Sequence, residues 1–133
     1  MNREKLNTVI GWVLTGVVAL ILWLNGVGKL MNSPAAIAEF EHWGYSRLFM
    51  YTVGTLEVFA GLFLVAPQMS IYGAFLVIIL MLGAVVTHIL HDPVINVLRP
   101  VAIIVFTLMV MRIRGLRLGR VKQETESHVT VDA

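Results

Sequence analysis

The chain has 133 residues, 58% of them hydrophobic and 14% charged, with no cysteine and a formal charge of +2. Soluble domains run at about 45–50% apolar and about 25% charged residues, so this composition points to the bilayer, and the length to a single domain. Disulfides and thiol chemistry are excluded, and the basic residues flank apolar segments without forming a nucleic-acid face.

A short polar start with Arg3 and Lys5 leads into an apolar stretch, Val9 to Leu24, that runs on through Leu30. No small-residue cleavage site follows, so the pattern predicts an uncleaved first span. Asn25 and Lys29 are four apart and share a face at its far end. Lys29 either snorkels to the headgroups or meets a partner inside. Ser33-Pro34 reads as an N-cap followed by proline at the first helical position. It opens a short helix, Ala35 to Trp43, that stops at Gly44. Its mixture of Ile37, Phe40 and Trp43 with Glu39, Glu41 and His42 suits the membrane interface, or a lid over a pocket.

Leu48 to Ala66 is the second predicted span, closed by Pro67. In its middle lies Gly54-Thr55-Leu56-Glu57-Val58-Phe59-Ala60-Gly61. A carboxylate in hydrocarbon is costly unless it faces a bundle interior and has a partner. Gly54, Glu57 and Gly61 fall on one helix face, and the glycines admit close neighbours there. Ile71 to Leu90 is the third span, with Gly73, Ala74, Gly83 and Ala84 for close packing and Thr87, His88 and His91 at its end. Asp92-Pro93 repeats the cap-plus-proline pattern and opens a fourth span to Met111. This places Pro100 inside a helix, where it is expected to kink it and free the carbonyl of Asn96.

The expected fold is an all-α integral membrane protein: a four-transmembrane-helix bundle with a short interfacial helix between the first two spans. The spans cover about 8–30, 48–66, 71–90 and 93–111. Residues 1–111 form the transmembrane domain, and 112–133 a basic flank with a disordered tail. Seven of the ten Lys and Arg flank the two ends, which places both termini in the cytoplasm. The basic flank then anchors to anionic membrane lipids.

This topology sends Lys29, Glu57, His88 and Arg99 toward the opposite half of the bundle. Glu57 lies about 13 Å and Arg99 about 9 Å along their helices from that end, at 1.5 Å per residue. The expectation is a partly polar cavity there, with Glu57 paired to Lys29 or Arg99, and an almost purely apolar opposite half. These four are the candidate ligand-binding residues. The cluster also reads as a structural ion pair locking the bundle. A zinc site from His88, His91, Asp92 and Glu57 is a weaker reading, since His-x-x-His alone carries little weight, and no metal is expected. No nucleotide loop and no nucleophile–base pair is present, so catalysis by this chain alone is not expected. Apolar walls with a few polar groups suit an amphiphile such as a quinone, a polyprenol or a lipid.

Gly26-x-x-Lys29-Leu30, Phe40-x-x-x-Gly44-Tyr45, Gly54-x-x-Glu57-x-x-x-Gly61 with Leu64 and Pro67, and Gly83-Ala84-x-x-Thr87-His88 together resemble the DoxX-like family. His88 to Pro93 and Gly54 to Val58 are also similar to the receptor-assembly chaperone NACHO. The resemblance implies a four-helix membrane bundle, in which Lys29, Glu57 and His88 are the family-pattern polar positions. Arg99 is nominated by topology alone. For activity it implies either a subunit of a quinone-linked oxidoreductase in a bacterial plasma membrane or a module assisting assembly of other membrane proteins. Glycine-rich faces leave room for a homodimer.

Overall fold

The structure, a computed structural model, describes residues 2–115 and 127–131. Within residues 2–115 five helices follow in order: α1 (Arg3–Leu30), α2 (Pro34–His42), α3 (Arg47–Val65), α4 (Ser70–His91) and α5 (Leu98–Ile113). A short 3-10 segment, Val94–Val97, leads into α5. No strand occurs among the described residues. The protein is an all-α integral membrane protein. α1, α3, α4 and the continuous stretch Val94–Ile113 are each long and apolar enough to cross a bilayer.

The local signals explain most boundaries. Asn2 accepts from the Lys5 amide at 3.0 Å and caps α1. Ser33 Oγ accepts from the Ala36 amide, with Pro34 at the first position of α2. α2 ends at Gly44, whose φ of 76° lies in the left-handed region, where a side chain would be strained. Ser46, not singled out from sequence, caps α3 through the Phe49 amide.

The fourth span differs from the expectation of one helix kinked at Pro100. Pro100 is the third residue of α5 and buried. A first-turn residue has no intrahelical acceptor for its N–H, so proline loses nothing there. Its ring obstructs α-geometry in the turn before it, and that turn is the 3-10 segment. Asp92 does not cap a helix with its side chain either; its carboxylate is engaged elsewhere. Gly83, expected at a close contact, has open space over its Cα and borders a cavity.

α1 packs against α3 and α5, and α4 against α3 and α5, closing a four-membered ring. The core around Val18, Leu22, Ala60, Leu64, Val77 and Val110 fills the half of the bundle nearer the termini. A smaller cluster of Ala36, Phe40 and Met50 lies beneath α2. The outward faces of the spanning helices expose large aliphatic side chains such as Val13, Leu20, Leu24, Ile79, Leu82 and Ile89, as contact with lipid tails requires.

The half nearer the termini is not purely apolar, contrary to expectation. Arg114 turns back into the bundle, past Gly11. It donates from Nη1 to Thr15 Oγ1 and the Leu64 carbonyl, both at 3.2 Å, and from Nη2 to Ser70 Oγ at 3.1 Å. Its guanidinium lies 4.1 Å from the Trp12 ring centre. The residue read as part of a headgroup anchor instead ties α1, α5 and the α3–α4 turn together. Arg117, Arg120 and Lys122 of that flank lie outside the described residues. Most of the tail does too, apart from one helical stretch at 127–131.

Candidate functional site

The site is built on the α1–α3 seam. A Cβ on Gly54 would stand 2.9 Å from the Gly26 carbonyl oxygen and 2.9 Å from Lys29 Cβ. Only hydrogen at these two positions lets the backbones come so near. The approach sets Lys29, one turn beyond Gly26, directly opposite Glu57, one turn beyond Gly54. Lys29 Nζ donates to Glu57 Oε2 at 2.8 Å, with only 13% and 6% of the two side chains exposed. The expected pairing thus resolves to Lys29. Trp23 lies over Gly61, and its indole N–H donates to the Val58 carbonyl at 3.2 Å. Gly54, Glu57 and Gly61 therefore all face α1.

Arg99, the other expected partner, makes no ion pair or hydrogen bond among the described residues and is exposed. It nonetheless borders the same cavity as Lys29, Glu57 and His88. The four residues nominated from sequence, one from each span, thus converge on one space of about 560 Å³. Its walls are mostly apolar and aromatic, with Phe40, Phe49, Val53, Ile79 and Ile103 among them. Such a size and lining are those of a small-molecule pocket.

A second polar group, of which the sequence showed His88 and Asp92 but not their partners on and after α2, closes the rim. Asp92 Oδ2 accepts from Trp43 Nε1 at 2.8 Å and meets His88 Nδ1 at 2.7 Å. Asp92 Oδ1 lies 3.2 Å from His42 Nε2, which is also 3.2 Å from the His91 carbonyl. The Trp43 ring meets the His88 ring edge-on at 5.3 Å. Thr87 gives its hydroxyl proton to the Gly83 carbonyl, so Tyr45 is the donor in the 3.0 Å contact between Tyr45 and Thr87. These bonds fasten α2 and the loop after it across the end of α4. From α2 and its C-cap, Glu39, Phe40 and Trp43 enter the cavity wall, which is the geometry of a cover.

Partial burial alone would raise the Asp92 pKa. Hydrogen bonds from His88 and Trp43, and the charges of His88 and His42, outweigh it and hold the carboxyl below its ordinary range. His88 and Asp92 are four apart, and that spacing was the one readable trace of this group. Trp43 and Tyr45 carried no such signal, because nothing local says where α2 lies. His91 donates from Nδ1 to the Thr87 carbonyl. No three His, Cys, Asp or Glu side chains are grouped as metal ligands would be, among the described residues.

A bundle of four spanning helices around an apolar-walled cavity with a few polar groups defines a class of small helical membrane proteins. The model of the DoxX-like family matches residues 13–110, and the chain belongs to that family. No curated protein and no solved structure matches it.

Proposed function

We propose that this protein holds a lipophilic molecule with a polar head, a quinone or a lipid, as a non-catalytic component of a membrane redox assembly. The observation that carries this reading is the convergence of Lys29, Glu57, His88 and Arg99 on one apolar-walled cavity of about 560 Å³. An ion pair kept merely to lock helices would be packed over, since open space beside it forfeits contacts. Here the pair borders the cavity, which Arg99, a guanidinium with no partner among the described residues, borders too. The redox setting is what resemblance to the family's quinone-linked members implies. Arg112 and Arg114 at the end of α5, with Arg3 and Lys5, favour cytoplasmic termini and a cavity opening on the far side of a plasma membrane.

Native mass spectrometry on protein extracted gently from its own membranes tests this. The expected result is a small lipophilic mass bound one-to-one and lost in Glu57→Gln, with the bundle still folded. Bare protein, or protein carrying only other polypeptides, overturns the reading and favours a module that assembles membrane proteins.

A further inference from the structure

The cavity does not offer donors alone. Asp92 receives the Trp43 N–H on Oδ2, and its Oδ1 lies 3.2 Å from His42 Nε2. An ionised carboxylate has no proton to give, so the 2.7 Å contact to His88 requires the proton on His88 Nδ1. In the neutral ring the lone pair then sits on Nε2. Nε2 has no hydrogen-bond partner among the described residues, and His88 borders the cavity. Other charged or titratable groups around the space are Lys29 from α1, Glu39 from α2, Tyr45 from the following loop, Glu57 from α3 and Arg99 from α5. Lys29 and Glu57 are committed to each other, and Tyr45 to Thr87. Arg99 is a donor without a partner among the described residues.

We propose that His88, oriented by Asp92, accepts the hydroxyl of the bound molecule, so that the site selects a hydroxyl-bearing lipophile, a hydroquinone in preference to its quinone. This rests on the lipophile reading above and narrows it. A quinone carbonyl or a phosphate diester brings only acceptors and would set an acceptor against the Nε2 lone pair. A hydroquinone brings hydroxyls that both donate and accept, matching His88 on one side and Arg99 on another. If the hydroxyl ionises, its O–H bond breaks, an Nε2–H bond forms and the electron pair stays on oxygen. The imidazolium so made faces the Asp92 carboxylate, as in other carboxylate–histidine pairs. Asp92 is a positioning residue here, acting through His88.

The test uses the full chain in phosphatidylcholine nanodiscs, titrated without oxygen by calorimetry against empty discs. The probes are decylubiquinol, decylubiquinone and the dimethyl ether of the quinol, with geranylgeraniol to tell a hydroquinone head from a simple alcohol. A hydrogen bond of this kind is worth about tenfold in affinity. The quinol is therefore expected to bind about tenfold tighter than its quinone and its ether. His88→Phe should bring all three probes level without weakening the quinone. Asp92→Ala should reduce the quinol-to-quinone ratio while His88 remains. If Asp92 served only to fasten α2, both probes would weaken together and the ratio would stand, which overturns its positioning role. Equal binding of all probes to the unaltered protein overturns the hydroxyl selection and leaves the lipophile site in place. No binding of any probe overturns both.

Discussion

The two ends of the bundle each draw a cation inward, and they treat it differently. At the end nearer the termini, Arg114 meets no carboxylate among the described residues. Its charge is spread over a hydroxyl on α1, a hydroxyl on α4 and the carbonyl of Leu64 in the last turn of α3. That carbonyl belongs to the negative end of the α3 dipole, so a cation is welcome there. At the far end, Lys29, in the last turn of α1, meets the carboxyl group of Glu57 in the middle of α3. The first arrangement is half-buried among hydrogen-bond partners from three helices and the second borders a cavity. A buried cation is thus not itself the mark of a site; what marks one is a buried charge beside unfilled space.

This contrast can be broken from either side. Arg114→Met should have the largest effect on stability, about 3 kcal/mol for three charge-assisted bonds, read as a lower melting temperature in detergent. Ligand retention by the molecules that remain folded should be unchanged; a selective loss of ligand would mean the two ends are coupled. Gly54→Val comes next, at about 2 kcal/mol, because its methyls must enter space held by the Gly26 backbone. It should cost stability and ligand together, since the seam also seats Lys29 opposite Glu57. Replacing the far pair jointly, Lys29→Met with Glu57→Met, should change stability by less than about 1 kcal/mol while abolishing ligand retention. A large melting shift there would return Lys29–Glu57 to the role of a structural lock.

The smallest effect is acid-sensitive. The Asp92 pKa is depressed in the folded protein. Its stabilising contribution is therefore complete above the ordinary carboxylate pKa and is lost as pH falls through the lower folded value. Below about pH 4 the fastening of α2 should loosen, seen as faster amide exchange in residues 34–45, with Asp92→Asn flattening this dependence.

Much of this was legible in the chain. Hydropathy marked the spans, and the serine–proline pair marked the start of α2, because both signals are local. Glu57 was legible as a buried group facing a helix neighbour, because Gly54 and Gly61 share its face, but its partner stayed open between Lys29 and Arg99 until the α1–α3 seam was seen. What stayed hidden depended on where chain segments return. Arg114 lies in an arginine-rich run that reads as a headgroup anchor, and nothing near it says that it folds back to Thr15. Asp92 before Pro93 reads as a helix cap, and only the placement of α2 shows Trp43 and His42 on its carboxylate. Pro100 was read as an interior kink because the 3-10 segment before it is too short to announce itself.

The three tryptophans are spread along the membrane normal. Trp12 lies against Arg114, Trp23 bridges the seam above Gly61, and Trp43 holds the rim carboxylate. Each indole thus has its own polar neighbour at its own depth. Variants keeping one tryptophan at a time would turn the protein into its own optical depth gauge. Emission from Trp43 would register an arriving occupant, Trp23 any parting of α1 from α3, and Trp12 the state of the opposite end, in a single intact bilayer sample.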